Sequence, residues 1–518
     1  MRSPTNLRKL ILAIDQGTTS TRCITFDNIG RPVHKFQKEF PQIYPRPGWV
    51  EHDPESIFKS VVECIDGLGM SSHDAIEAIG ITNQRETIVA WDRYTGRALH
   101  NAIVWLDTRS QDLVKSEVSH PDGAQRYRKL TGLPVSTYFS ALKMKWLIEN
   151  VETVREAVDN DTCCFGTIDS YLAYRLTAGE VHVTDCTNAS RYNLMDINTL
   201  QWSPEVCHHL GIPISTLPRI VSSSETVGRV SSDVIPSLGS VPITSLIGDQ
   251  HAALLGHGCI NPGQCKITYG TGSFLLMNTG LTRKDSPSGS LLTTLAYKLG
   301  PESPPVYALE GSVASAGRSV VWAKENLRIG DDLDEFNQYA ASVPDTCGVT
   351  FVPAFSGLFA PYWRDDARAV IVGMSLRANF RHIARSIVEA TALQCADVVE
   401  ILKKEGDLED NCHTIVTDGG MTKSDPLMQV QADLLNTVIM RNRMTESTAF
   451  GAAYAAGLAI GFWDMKPSDN PIVSLIETQP GSDIFMPQMT MEERGKIFAR
   501  WKDAVNRSFD LAKFNNQS

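Results

Sequence analysis

Leu10-Ile-Leu-Ala-Ile-Asp-Gln-Gly-Thr-Thr-Ser-Thr-Arg22 decides how the chain is read. Five apolar residues run into an acid, a glycine and a row of hydroxyls, and Cys23-Ile-Thr-Phe26 then resumes a strand-like pattern. An uninterrupted apolar run this short reads as a buried strand. Residues 15–22 then form a tight turn between two strands. Gly17 permits close approach of a ligand to the backbone. Amides and hydroxyls in such a turn make a concave anion site. A carboxylate beside it would repel phosphate unless a divalent cation sits between them, so Asp15 points to magnesium held partly through water. The plain alternative is a polar hairpin whose hydroxyls are satisfied locally.

The pattern returns once. Gln264-Cys-Lys-Ile-Thr-Tyr-Gly-Thr-Gly-Ser-Phe-Leu-Leu-Met277 is again a strand, a turn of Gly with Thr and Ser, and a strand. Thr18 and Thr271 lie 253 residues apart, about half the chain, which predicts two domains of similar plan. The boundary is expected near residues 256–262, where Gly, Asn and Pro cluster, giving domains 1–256 and 257–518. A third glycine turn, Thr417-Asp-Gly-Gly-Met-Thr422, follows the short apolar strand at 415–416. Each turn alone is as well explained by a plain hairpin. Together, spread over both halves, they fit a nucleotide held between two domains. No P-loop and no G-x-G-x-x-G fingerprint occurs.

Around these turns the chain is ordinary in composition. Its 518 residues are 42% hydrophobic and 21% charged, with a net charge of −11. That charge disfavours a general nucleic-acid binder, which needs a basic excess to neutralise phosphates. The 11 cysteines contain no C-x-x-C pair and read as reduced thiols in a cytoplasmic setting. Asn188-Ala-Ser190 and Asn506-Arg-Ser508 fit the glycosylation pattern, which carries no meaning without secretion. No signal peptide is visible, because only five apolar residues separate Arg8-Lys9 from Asp15. The uncharged run at 447–463 is short for a membrane span. Ala449, Ala453, Gly457 and Gly461 fall four apart, which predicts a buried helix packed closely on a neighbour. Strands are predicted at 10–14, 23–26, 78–82, 87–91 and 243–247. Helices are predicted at 54–67, with Asp53 as cap and Pro54 in the first turn, at 138–150 and at 380–404.

The ordered motifs resemble the carbohydrate kinases of the FGGY family. Residues 15–22 are similar to the family's first phosphate loop. Asn83-Gln-Arg-Glu-Thr87, Trp105-Leu-Asp-Thr-Arg109, Tyr138-Phe-Ser-Ala-Leu-Lys-Met-Lys-Trp146 and Gly248-Asp-Gln-His251 follow in the expected order. Gly270-Thr-Gly272, Phe355-Ser-Gly-Leu-Phe-Ala-Pro-Tyr-Trp363, Asp418-Gly-Gly420, and Gly373-Met with His382-Ile-Ala-Arg-Ser-Ile-Val-Glu389 continue it. The resemblance spans residues 9 to 465. It implies an α/β fold of two actin-like (ribonuclease H-like) ATPase domains that close on ATP in an interdomain cleft. It implies transfer of the γ-phosphoryl group to a primary hydroxyl of glycerol, giving sn-glycerol 3-phosphate. It also implies a homodimer or homotetramer.

The same resemblance assigns roles. Arg85, Glu86, Asp249, Gln250 and Tyr138 line the polar side of the acceptor pocket, with Trp105 and Phe274 on its carbon edge. Three hydroxyls need both donors and acceptors, and each group left unpaired costs roughly 1–3 kcal/mol. Without the resemblance, Arg85-Glu86 reads as a surface ion pair and Trp105 as a core aromatic. Asp249, after an apolar strand, is the expected general base. Asp15 and Asp249 are the expected magnesium ligands, and Arg22 faces the charge developing on the phosphate. Thr18, Thr19, Ser20, Arg22, Gly270, Thr271, Gly317, Gly420 and Ser424 are expected at the nucleotide. Two positions depart from the family pattern, Val321 and Ser424, where polar and Asn side chains are common. The loop through which some bacterial relatives sense a sugar bisphosphate has no clear match at 222–239. Three rivals stand beside this reading: a pentulose or longer-polyol kinase, a serine acyl hydrolase built on Ser140-Ala-Leu-Lys143 with Ser468-Asp-Asn470, and a nucleotide-driven scaffold without catalysis.

Overall fold

The computed structural model describes residues 7–407, 412, 414–442, 444, 446–464 and 482–512. The Ser468-Asp-Asn470 motif lies outside them. The chain forms two compact units, neither contiguous: Met1–Gly258, Thr293–Tyr307 and Glu446–Thr478 make the first, and Cys259–Leu292, Ala308–Thr445 and Gln479–Ser518 the second. The division expected at 256/257 follows only the first crossing of the chain between them.

The opening stretch builds the centre of the first unit. Strand Arg8–Gln16 pairs antiparallel with Ser20–Phe26, placing Asp15 opposite Arg22. On its other edge it runs parallel to Asp74–Asn83, which runs parallel to Pro242–Gly248. Gln16 and Gly248 both register on Asn83, so the three strands end level with one another. Leu10 to Ile14 are wholly buried because both faces of the sheet are covered. On one face Leu12, Ile14, Ile79 and Ile81 share a core with Ile57 and Val61 of helix Pro54–Asp66 and with Tyr171 and Leu172 of helix Ile168–Leu176. Asp53 caps helix Pro54–Asp66 by accepting from the amides of Glu55 and Ser56, each at 3.2 Å.

Helix Ser447–Ala459 covers the other face, as the small-residue run predicts. A Cβ on Gly80 of the sheet would lie 2.3 Å from the carbonyl oxygen of Ala452. The closest helix–helix approach is against Asp249–Gly256. A Cβ on Gly451 would sit 1.9 Å from the Ala252 carbonyl oxygen, and one on Gly256 2.0 Å from that of Ser447.

The second unit repeats the plan. Cys265–Tyr269 and Ser273–Gly280 form the antiparallel hairpin. Thr414–Asp418 runs parallel to Cys265–Tyr269, and Val438–Arg441 runs parallel to Thr414–Asp418. Helix Phe380–Gly406 carries the long apolar stripe, with Ile387, Leu393, Val399 and Leu402 in the core. Among the described residues, no helix is long and apolar enough to cross a membrane.

Candidate active site

In open α/β sheets, ligands are taken up beyond the carboxyl ends of the parallel strands. In the first unit that edge carries Asp15, Asn83 with the segment after it, and Gly248-Asp249. Asp15, the penultimate residue of its strand, is largely covered. Burial pushes its carboxyl up to about 6. Arg22 opposes that rise, while Asp249 and Glu446 add to it, so acidic groups from three segments share one neighbourhood. Arg22 is held within the unit: its Nη1 donates to Glu446 Oε2 at 2.8 Å and lies 3.9 Å from Asp15 Oδ2. Lys35 also pairs with Glu446. Glu446 is a residue the sequence reading did not single out, since nothing local marks an acid so distant in sequence from Arg22.

Two hydroxyls of the first turn have partners. Trp105 Nε1 donates to Thr18 Oγ1 at 3.0 Å, and Gln37 Nε2 donates to Ser20 Oγ at 3.0 Å. Thr19 is exposed. The turn is braced by Gly17 N donating to Ser20 O at 2.9 Å and by Gln84 Nε2 donating to Gly17 O at 3.0 Å.

Arg85 and Glu86 are not a surface pair. They are 3% and 2% exposed, and each has its own partner. Arg85 Nε lies 3.4 Å from Asp249 Oδ1. Glu86, with φ +60°, accepts from Arg191 Nε at 2.6 Å. A non-glycine residue at positive φ stores strain that the surroundings must hold in place. Arg191 is wholly buried, with its guanidinium 5.6 Å from the Tyr138 ring centre and 5.3 Å from that of Phe139. Tyr138 in turn lies 5.7 Å, centre to centre, from Trp105. The first unit therefore holds Arg85 with Asp249, and Glu86 with Arg191, Tyr138 and Trp105, in two sets of contacts joined at the Arg85-Glu86 peptide. Gln250 follows in the first turn of helix Asp249–Gly256, its amide donating to Asp249 Oδ1 at 2.7 Å. No local pattern in the sequence marks Arg191; the residues before it carry only the glycosylation-like triplet.

The Ser140/Lys143 pair is structural. The Ser140 hydroxyl donates to the Glu86 carbonyl at 3.0 Å. The Lys143 amine turns back to the carbonyls of Tyr138 and Phe139, and the helix expected from residue 138 begins at Ser140, after an extended Phe139. Burial pushes Lys143 down to about 7, against the pull of Glu86 and Asp107.

In the second unit, the turn at Gly270-Thr-Gly272 meets the start of helix Gly317–Leu327. The amides of Ala316 and Arg318 donate to Thr271 O at 2.9 and 3.1 Å, and that of Gly317 to Gly270 O at 3.0 Å. Gly419 has φ +93°, and a Cβ there would lie 2.2 Å from Tyr269 O, so only glycine fits. On Gly420 a Cβ would meet nothing within 4 Å, which leaves that backbone open. Ser424 is a cap: its hydroxyl accepts from Leu427 N at 3.3 Å and donates to Asn337 Oδ1 at 2.7 Å. It is 1% exposed, so burial and these two bonds set it apart from the accessible positions expected at a nucleotide. Val321, in contrast, is 51% exposed. Phe274 stands on strand Ser273–Gly280, opposite Thr268. Among the described residues, no three His, Cys, Asp or Glu side chains form a group able to hold a metal by themselves.

Comparison with known proteins places this geometry. The N-terminal domain of the FGGY family of carbohydrate kinases matches residues 10–256, and its C-terminal domain matches residues 265–460. The chain is 47% identical over 506 residues to glycerol kinase of Beutenbergia cavernae, covering 96% of this chain and 98% of the relative. It is 46% identical over 511 residues to glycerol kinase of Chloroflexus aurantiacus, covering 97% and 99%. Among solved structures, glycerol kinase of Plasmodium falciparum with ADP superposes with a TM-score of 0.89 at 41% identity, covering 98% of this chain and 99% of that one. A xylulose kinase from Lactobacillus acidophilus shares the fold at 23% identity, with a TM-score of 0.83 and 98% of each chain covered.

Proposed function

Because the chain belongs to the FGGY family of carbohydrate kinases, we infer that it phosphorylates glycerol at a primary hydroxyl with ATP as donor. The observation that carries this reading is the set of contacts in the first unit. Arg85 touches Asp249, Arg191 holds Glu86, and Tyr138 with Trp105 supplies an aromatic wall. A triol needs donors, acceptors and a carbon-facing surface in a small space, and these residues supply all three.

In this reading Asp249, with the Arg85 guanidinium beside it, takes the proton from the attacking hydroxyl. Glu86, its Oε1 engaged by Arg191, offers its second oxygen to a substrate hydroxyl. Most of the rate comes from holding acceptor and phosphoryl group in line. The donor set fits Mg2+ brought in with the nucleotide. Asp15 and Asp249 alone are too few for a cage of protein ligands, while magnesium is commonly held by one or two carboxylates with phosphates and water. Bound there, the ion would neutralise phosphate charge and relieve the crowding of carboxylates at Asp15. Thr271 and Gly420 are the most open of the expected nucleotide positions in the second unit.

A coupled assay with glycerol, ATP and magnesium, run beside xylulose and ribulose, tests the assignment. Faster turnover of a pentulose than of glycerol would overturn it. Asp249→Asn should lower turnover by about 10² to 10⁴ while glycerol still binds. Turnover within a few-fold of the parent would remove Asp249 as base.

A further inference from the structure

The motif that function leaves unused is Asp185-Cys-Thr-Asn-Ala-Ser190, which contains the glycosylation-like triplet. It is wholly inside the molecule: Asp185, Thr187, Asn188 and Asn83 are all 0% exposed. Asp185 is saturated by neighbours. Its Oδ1 accepts from Thr187 Oγ1 at 2.9 Å, from the Asn188 amide at 2.9 Å and from Asn188 Nδ2 at 2.9 Å. Its Oδ2 accepts from the Thr187 amide at 3.0 Å and from Ser223 Oγ at 2.7 Å. Asn188 and Asn83 then exchange two side-chain amide bonds, each 3.0 Å, at the end of the central strand.

A bond from Thr187 ties this cluster to the strand end that carries Asp249. Having given its proton to Asp185, the Thr187 hydroxyl accepts the backbone N–H of Gly248 at 2.9 Å. Gly248 is the residue before Asp249 and the cap of helix Asp249–Gly256, and it makes no side-chain capping bond of its own. Its other side is filled: a Cβ would meet Cγ and Cδ of Arg85 and Nδ1 of His251, each at 2.9 Å. The peptide that delivers Asp249 is thus clasped between Thr187 and Arg85, and Asp185 fixes which way the Thr187 hydroxyl faces.

We propose that Thr187 is a positioning residue for Asp249, setting the base through the Gly248 amide with Asp185 as its anchor. This rests on Asp249 being the base. Phosphoryl transfer depends on in-line geometry, and a displacement of about 1 Å can cost roughly 10²-fold. Thr187→Val keeps the shape and removes the hydroxyl, so kcat should fall roughly 10- to 10²-fold with the KM for ATP within twofold. Thr187→Ser, which keeps the hydroxyl, should restore kcat to within a few-fold. If Thr187→Val does not fold, Thr187→Cys, whose sulfur is a weak acceptor, gives the same readout. Ser223→Ala loosens Asp185 from the far side and should lower Tm with far less effect on kcat.

The deciding measurement is a double-mutant cycle. In an Asp249→Asn background, Thr187→Val should cost little further turnover, because its effect passes through the carboxylate. An equal fold-loss in both backgrounds, or parental kcat in Thr187→Val, would overturn the proposal. If Asp249→Asn loses its turnover while Thr187→Val keeps parental kcat, positioning fails alone and the base stands. If Asp249→Asn keeps its turnover, the base assignment fails and the positioning claim falls with it.

Discussion

Arg85 and Glu86 are neighbours in sequence that serve two different partners, and the division is the work of one strained residue. With φ +60° at Glu86, successive side chains leave the backbone in unrelated directions, one to Asp249 and the other to Arg191. Arg191→Lys removes the planar fork that holds Glu86 and spreads over Tyr138 and Phe139. It should raise the KM for glycerol at least tenfold and leave that for ATP within twofold; parallel rises in both would show general damage. A second residue-scale expectation concerns Asp169. Burial, then the nearby Asp185, pushes its carboxyl up to about 7, although Thr167 and Thr184 donate to it. A free Asp titrates near 3.9. The stabilising contribution of this acid is therefore present below about pH 4 and lost as pH rises to about 7. Asp169→Asn abolishes that loss, so the Tm of the variant minus that of the parent should grow from pH 5 to pH 8. The gain should be roughly 2–4 °C per kcal/mol relieved, and a pH-independent difference would contradict the shift. At this scale the sequence announced which residues matter by type and order, but not their partners. Glu86 and Arg191 are 105 residues apart, and no local pattern links them.

At the scale of elements the reading was more complete, because hydrophobic runs and caps are local. The expected strand at 10–14 is Arg8–Gln16, the helix at 54–67 is Pro54–Asp66 with its Asp53 cap, and that at 380–404 is Phe380–Gly406. The small-residue run also became a closely packed helix. Its tightest point is Gly451, outside the spacing of four that suggested it, because the crossing with Gly256 selects the contact. Gly451→Ala would drive a methyl into the Ala252 carbonyl, and overpacking of that kind costs about 1–3 kcal/mol. Gly495→Ala, in helix Met491–Arg507 with nothing within 4 Å, should be neutral or stabilise by up to about 1 kcal/mol. Thermal melts that rank the two variants the other way would contradict the packing.

Across the whole molecule, the chain returns to its first unit at Thr293 and again at Glu446. Those returns were invisible in the sequence, where a cluster of Gly, Asn and Pro marks only the first crossing. Thr293 donates its amide to Gly132 O, and helix Ser447–Ala459 covers the sheet at Gly80. A fragment of residues 1–256 lacks both and leaves one face of its sheet bare. It should be poorly soluble and lose cooperative unfolding in urea, and a fragment that melts like the intact chain would show that the returning segments are dispensable. The buried Asn188 has a practical sequel. Its side-chain nitrogen, the atom an oligosaccharide would occupy, is committed to Asn83 and Asp185 at the heart of the first unit. Sugar attached there during synthesis would bar that unit from closing. A yeast or insect-cell strategy that exports this polypeptide would select for misfolded product, whereas expression in the cytosol leaves the triplet unread.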